Sequence, residues 1–511
     1  MMKFYPLSLV LTFFALNAFA QQGTPDAAFD GDGYVVTDFH GGNDFAFAIA
    51  AYSNGDFLIG GDADSAGVRL AAIARFNSNG SYDNQLATTG RRTIYISGGQ
   101  VEVWSLATQS DGRFIAAGST GGLANAMLFR MNPNGSLDGS FAQNGVFSHQ
   151  TAGNDVEYLS AVALQNDGKI VAAGTTGIGN TRDVIVFRFK TDGTLDSTFG
   201  GDGIVVVDAG AATDFANALA IQPDGKIVIV GGSANNILAI RLNSNGSLDA
   251  SFDTDGKLTI DRGYTDNATA VALQGDGKIV MSGWLYNGRN AAVVLRLNDN
   301  GSLDNTFGQA GVVDTAILGN AGFWGLALQP DGKIIGGGRA YDGQRNTMLI
   351  VRLNADGSFD NTWAQNGIFL SAFNNDDENV TALSLLADGR LAACGYLRNN
   401  STFSAETTVF ITGVNVGILN FDAPQQTILV YPNPVKQAMQ LEFELQREIE
   451  LSMQLVDMQG KVVQLLAAKQ TYAAGEHNIQ LLLSENAAAG NYLLVLQSDT
   501  GVRTVRVQLA R

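Results

Sequence analysis

Apolar and polar residues alternate with a period of two through most of the chain, in short runs broken by glycine-rich turns, and helical periodicity is missing. The clearest instance is residues 215–232, FANALAIQPDGKIVIVGG, where two apolar segments flank a Pro-Asp-Gly-Lys turn. This pattern predicts a tight β-hairpin with Gly225 in the backbone conformation that other residues avoid. The hairpin recurs with its glycine at Gly55, Gly112, Gly168, Gly225, Gly277, Gly332 and Gly389, at spacings of 57, 56, 57, 52, 55 and 57. A second marker, Gly-x-x-Asp-x-x followed by Phe, Leu or Trp, comes after a third apolar segment, at Gly80, Gly135, Gly193, Gly246, Gly301 and Gly357. Its seventh copy is displaced to Gly23, ahead of the first hairpin.

Four strand-like segments per period of about 55 residues are the signature of propeller blades. Residues 33–38 form a fourth strand with no hairpin before it, and the last hairpin lacks a fourth strand after it. Joining the two removes both deficits and leaves no bare sheet edge. The chain is therefore expected to be all-β: a seven-bladed β-propeller closed by its N-terminal strand, over residues 21–413. Arg75, Arg130, Arg188, Arg241, Arg296 and Arg352 end the third segments, and eight residues on stand Asp83, Asp138, Asp196, Asp249, Asp304 and Asp360. The constant spacing predicts an ion pair or capped turn within each blade. The seventh blade has Thr412 for the arginine and Asp26 brought from the other end, so it should rely more on backbone pairing and packing. Residues 414–427 read as a linker, and 428–511 as a small Ig-like β-sandwich of about seven strands.

Composition narrows the role. Residues 1–20 have a basic start at Lys3, a short apolar core and Ala18-Phe19-Ala20 before Gln21, which predicts a secretory signal. No later apolar stretch is long enough to span a membrane. The net charge of −18 argues against nucleic acid as a partner. The single cysteine, Cys394, excludes a disulfide framework and reads as a buried small side chain. His40, His149 and His477 share no metal-ligand spacing, and no catalytic motif occurs, so no metal site, catalytic residue or cofactor is expected.

The line GSLDxxFG…GxVxxD…AxALQPDGKIVxAG resembles the delta-60 repeat family of bacterial extracellular propellers, over roughly residues 23–413. The C-terminal region resembles the type IX secretion sorting domain (type A). That likeness is carried by Pro432, Asn433 and Pro434, by LVDMQGKVV with Asp457 and Gly460, by GNYLLVL with Gly490 and Tyr492, and by a basic tail with Arg503 and Arg506. It implies recognition by the type IX secretion machinery. It also implies release to the outside or attachment at the outer-membrane surface.

Three features are candidates for a site. Asp44, Glu157, Asp214, Asp266 and Glu378 stand eleven residues before their hairpin glycines, with Glu102 one place closer. Only the sixth blade lacks such an acid, having Asn320 and Ala321 nearby. These acids either cap local turns or ring one mouth of the channel, where they would take a cation or basic ligand. The Asp-Gly turns, such as Asp30 to Gly33, are oxygen-rich, and Ca2+ is the ion they would suit, though none has a full ligand set. Aromatic residues that break the repeat are Trp104, Tyr158, Phe215 and Trp324, with Trp284, Tyr286, Tyr341 and Tyr396 in loops. They suit stacking on sugars or peptides, and blade packing explains the first group equally well. Regular repeats favour a binding module for a protein, peptide or glycan over an enzyme, because catalysis needs asymmetric groups. An extracellular polymer-degrading hydrolase or lyase, and a structural surface protein, are the alternatives.

Overall fold

The computed structural model describes residues 22–510, other than 97–98, 123–124, 155, 211, 264, 287, 316, 372–376, 400–401, 411, 413–428, 432–434, 446–448, 458–461, 484–489 and 499–500. The signal, the linker, Pro432, Asn433, Pro434 and Gly460 thus lie outside the described residues. Up to Phe410 the described residues form seven four-stranded antiparallel sheets. Sheets 1 to 6 span residues 44–94, 101–149, 156–207, 214–260, 265–315 and 321–370. Sheet 7 combines Asp377–Leu385, Leu391–Asn399 and Thr402–Phe410 with Tyr34–Thr37 from the N-terminal end. No α-helix occurs among the described residues.

Both faces of each sheet are covered, which is why the second strands read as unbroken apolar runs. Ile227–Ser233 and Phe114–Thr120 are buried at every position. Between sheets 3 and 4, Val171, Ala173, Val184 and Val186 pack on Ala216, Ile227 and Ile229. The seven first strands pack in succession, and Asp377–Leu385 packs back on Asp44–Ala51, so the cycle closes.

Each first strand carries a β-bulge at one position, filled by Phe47, Trp104, Ser160, Asn217, Thr269, Trp324 and Thr381. The carbonyl two residues before the bulge faces the second strand at close range. A Cβ on Gly61, Gly118, Gly174, Gly231, Gly283, Gly338 or Gly395 would lie 1.8–1.9 Å from that oxygen, so the second strand needs glycine there. The polar bulge residues tie one sheet to the next. Ser160 Oγ donates to Ala216 O at 2.6 Å, Asn217 Nδ2 to Ala268 O at 2.7 Å, and Thr269 Oγ1 to Phe323 O at 2.8 Å. Thr381 Oγ1 donates to Ala46 O at 2.6 Å, joining sheet 7 to sheet 1.

The six arginine–aspartate pairs form at 2.7–2.9 Å. They also reach beyond their own sheet. Arg130 Nη1 donates to Thr191 O at 2.6 Å and Arg296 Nη1 to Ala355 O at 2.5 Å, both in the next sheet. Arg188, Arg241 and Arg352 do the same to Ser244, Asp299 and Thr412. In sheet 7 the ion pair is relocated and not lost, which corrects the expectation of closure by pairing and packing. Arg390, from the hairpin turn, pairs with Asp26 at 2.9 Å and donates to Ser78 O at 2.7 Å. Thr412 Oγ1 bonds Gly389 O at 2.6 Å.

From Leu429 onward the described residues form seven strands, in a three-stranded and a four-stranded sheet. Met439, Leu441 and Phe443 of one share a core with Leu451, Met453, Leu455, Leu494 and Leu496 of the other.

Two predictions follow from the ties. Arg390→Ala removes the pairs to Asp26 and Asp388 and the charge-assisted bond to Ser78 O, and should destabilise by about 1.5–3 kcal/mol in a chemical unfolding titration. An unchanged midpoint would mean that the pair does not hold the closure. The second concerns acid. Burial raises the pKa of Asp304 and Asp360, but the Thr306 and Thr362 hydroxyls and N–H groups, with Arg296 and Arg352, outweigh it and hold both at about 2. A depressed carboxylate contributes fully above the unfolded value of about 3.9 and loses that contribution as pH falls through its folded value. Melting temperature should therefore drop between about pH 4 and pH 2, and Asp304→Asn should shallow that drop.

Candidate functional site

All six predicted acids are buried, and Asp44, Glu157 and Asp214 are 0% exposed. Most of them hold the loop arriving from the preceding sheet. Asp44 Oδ2 accepts from Phe39 N at 2.9 Å, Asp214 Oδ2 from Ala209 N at 2.7 Å, and Asp266 Oδ2 from Arg262 N at 2.8 Å. Glu157 accepts from Thr151 N at 3.0 Å and Thr176 Oγ1 at 2.9 Å, with His149 Nδ1 at 2.5 Å. Ser371 donates to Glu378. Glu102, one residue out of step, takes the opposite face of its strand and meets Arg69 of sheet 1. Five of the six thus bond groups of their own loop or sheet, and Glu102 bonds across to the neighbouring one. The Asp-Gly turns behave alike: Asp32, Asp202 and Asp255 each accept the N–H two residues on, at 2.9–3.0 Å.

Among the described residues one acidic group has ligand-like spacing: Asp183, Asp208 and Asp214, with one oxygen of each within 4.8 Å of the others. Only Asp214 of these was singled out by position in the repeat. The histidines stay apart. His40 Nε2 lies 3.0 Å from Thr93 Oγ1, and His477 stacks on Phe443. Cys394 is buried, and burial pushes its thiol up to about 12, which makes it an inert core residue.

Burial also raises Asp44 to about 6 and Asp62 to about 7. A raised carboxylate favours folding while protonated, so this stability is lost as pH climbs from about 4 through 7. Asp62→Asn should raise the melting temperature more at pH 8 than at pH 5. Equal effects at both pH values would contradict the assignment.

The departure from the repeat lies between sheets 5 and 6. Ala321 stands where five other sheets carry their acid, and Gly322 stands where they carry Phe45, Tyr158, Phe215, Asn267 and Asn379. The missing side chains leave a recess of about 360 Å³ lined by Trp284, Asn290, Asn320, Trp324, Arg339 and Asn346. A Cβ on Gly322 would come within 3.0 Å of the Trp324 ring and 3.4 Å of Trp284 Cβ, so glycine keeps the recess open. The Arg339 guanidinium lies over the Trp324 ring, 4.9 Å from its centroid. Asn320 Oδ1 accepts from Asn290 N at 3.3 Å, which fixes the amide across the two sheets. Tyr286 and Tyr341 are exposed at the ends of the second strands of these two sheets.

Of the aromatic residues singled out by sequence, Trp284 and Trp324 meet here. Trp104 and Tyr158 stack in series with Phe47 at 5.9 and 5.7 Å, and Tyr396 packs on Phe45. Arg339, Asn290 and Asn346 were not anticipated. The available signal was Arg339 in IIGGGRAY, a cation at the place where the other second strands carry Asp62, Ser119, Thr175, Gly232, Trp284 and Tyr396.

In the C-terminal sheets, Asp457 ends the strand Ile449–Asp457, which pairs with Val462–Tyr472 across the expected turn. Gly490 opens the strand Gly490–Ser498, Tyr492 is buried in the shared core, and Arg503 and Arg506 lie on the last strand, Gly501–Leu509.

Comparison with known proteins matches the domain of unknown function DUF5122 beta-propeller at residues 53–85, 109–141, 165–199, 222–252, 274–307 and 329–362. Each segment runs from a hairpin turn to the following Gly-x-x-Asp turn. The seventh repeat is split between the two ends of the propeller, so no continuous segment carries it. A secretion system C-terminal sorting domain matches residues 429–509. No curated protein matches. Similar solved structures include virginiamycin B lyase from Staphylococcus aureus with quinupristin, at 10% identity and TM-score 0.45, covering 73% of this chain and 98% of that one. Another is Sqt1 from Chaetomium thermophilum bound to the N-terminus of ribosomal protein L10, at 14% identity and TM-score 0.41, covering 73% and 98%. YCF48 from Cyanidioschyzon merolae has 10% identity and TM-score 0.41, covering 74% and 98%. No helix among the described residues is long and apolar enough to cross a membrane. The chain is a protein of DUF5122 beta-propeller repeats that carries a C-terminal sorting domain for export to the cell surface or beyond.

Proposed function

We propose that the protein is a seven-bladed propeller that acts outside the cell as a binding module, taking its ligand in the recess between sheets 5 and 6. In this reading residues 1–20 are removed on export, 414–427 link the two parts, and 428–511 address the chain to the type IX machinery. The propeller is then released or left at the outer-membrane surface. The observation that carries the binding role is the recess itself. At one junction the repeat gives up an acid and a large side chain, and the space is bordered by two indoles, three amides and an arginine. Concave sites with aromatic walls and a few placed polar groups are where proteins hold small ligands. Such a ligand is a glycan or a peptide.

Trp324→Ala should lower affinity at least about tenfold for whichever ligand a glycan and peptide array selects, as loss of an aromatic anchor does. The melting temperature should change little, because the ring borders open space. Full affinity in this variant would move the site elsewhere. Truncation after Thr427 should leave the propeller inside the cell envelope, and normal appearance outside would defeat the export assignment.

A further inference from the structure

We infer that the recess takes an acidic saccharide, with the sugar's carboxylate on Arg339; this rests on the recess being the binding site. The arginines that end the third strands all have an aspartate at 2.7–2.9 Å. Arg339 forms no ion pair among the described residues, although the chain carries a net charge of −18. Its guanidinium carbon stands over the Trp324 ring, 4.9 Å from the centroid, and its fork of N–H donors remains for another group. A planar fork of donors matches a carboxylate. Among the described residues, Asp377 reaches the lining, and its Oδ1 accepts from Asn346 N at 2.8 Å.

The rest of the lining selects a sugar over a peptide. Peptide sites use a free strand edge or an apolar groove. Here Asn290, Asn320 and Asn346 line a small recess together with Trp284 and Trp324. Indole faces suit the C–H face of a pyranose, and amides can both donate to and accept from its hydroxyls. The volume, about 360 Å³, is at the small end of ligand clefts and fits one or two rings.

The test uses the full chain after signal removal, titrated calorimetrically with galacturonate, glucuronate-containing and mannuronate tetrasaccharides and with their methyl esters, which keep the shape and remove the charge. At least one free acid should bind ten or more times tighter than its ester. Arg339→Gln should bring that ratio close to one by weakening the free acid more than the ester, while Trp324→Ala should weaken both. Equal binding of acid and ester, or a ratio that survives Arg339→Gln, overturns the carboxylate assignment. The recess reading survives that result if Trp324→Ala still weakens binding. Failure of every saccharide, with capture of a peptide that Trp324→Ala abolishes, overturns the ligand class alone. Saccharide or peptide binding indifferent to Trp324→Ala overturns both.

Discussion

In sheets 2 to 6 the arginine that ends the third strand does three jobs with one rigid group. It pairs with the aspartate of its own turn, lies over an aromatic ring such as Phe141 or Phe307, and donates to a carbonyl in the next sheet. The guanidinium is planar and its donors point in fixed directions, so fixing two partners fixes the position of the third. Turn geometry and sheet-to-sheet placement are thereby one interaction. The apolar faces supply most of the attraction between sheets, but burial has no direction. The arginine fork and the polar bulge side chains supply the direction, the first at the hairpin-turn end of the strands and the second midway along the first strand.

Closure tests that design, because the seventh sheet is assembled from two distant pieces of chain. No arginine ends its third strand, yet its charged group is present on the hairpin turn instead. Arg390 makes the same kinds of contact, to Asp26 brought in by the N-terminal segment and to Ser78 O of sheet 1. The N-terminal segment also supplies backbone partners, with Asp26 N on Val409 O at 2.8 Å and Ala364 N on Gln22 O at 3.0 Å. A segment that meets sheets 6 and 7 at once cannot dock until both are in place, so it locks the cycle last.

Much of this was legible in the sequence because it rests on side-chain identity at fixed intervals. The period-two runs, the hairpin glycines and the Arg–Asp spacing each marked their element, and even the displaced Gly23 marker pointed to the join. The bulges and the ties between sheets were not legible. Their partners are backbone carbonyls about one period away, and a carbonyl carries no residue identity. Glu102 shows a related limit: one position of slip turns a strand residue to the other face, so an acid that aligned with five others meets different neighbours. The recess was half visible. The missing acid of the sixth repeat could be seen, but the space depends on Gly322 standing opposite Arg339, which is a matter of register.

The bulge position shows where a regular ring can become a site. Where it holds Ser160, Asn217, Thr269 or Thr381, the side chain is spent on the neighbouring sheet. Where it holds an aromatic residue, that tie is replaced by ring packing, and the outcome depends on what stands next door. Phe47 and Trp104 find Tyr158 and one another, and the junction fills. Trp324 meets the flat cation of Arg339, beside a glycine where other sheets carry bulk. The same substitution is therefore packing at two junctions and an open, charged recess at the third. What separates them is the pair of small residues, Ala321 and Gly322, just ahead of the bulge.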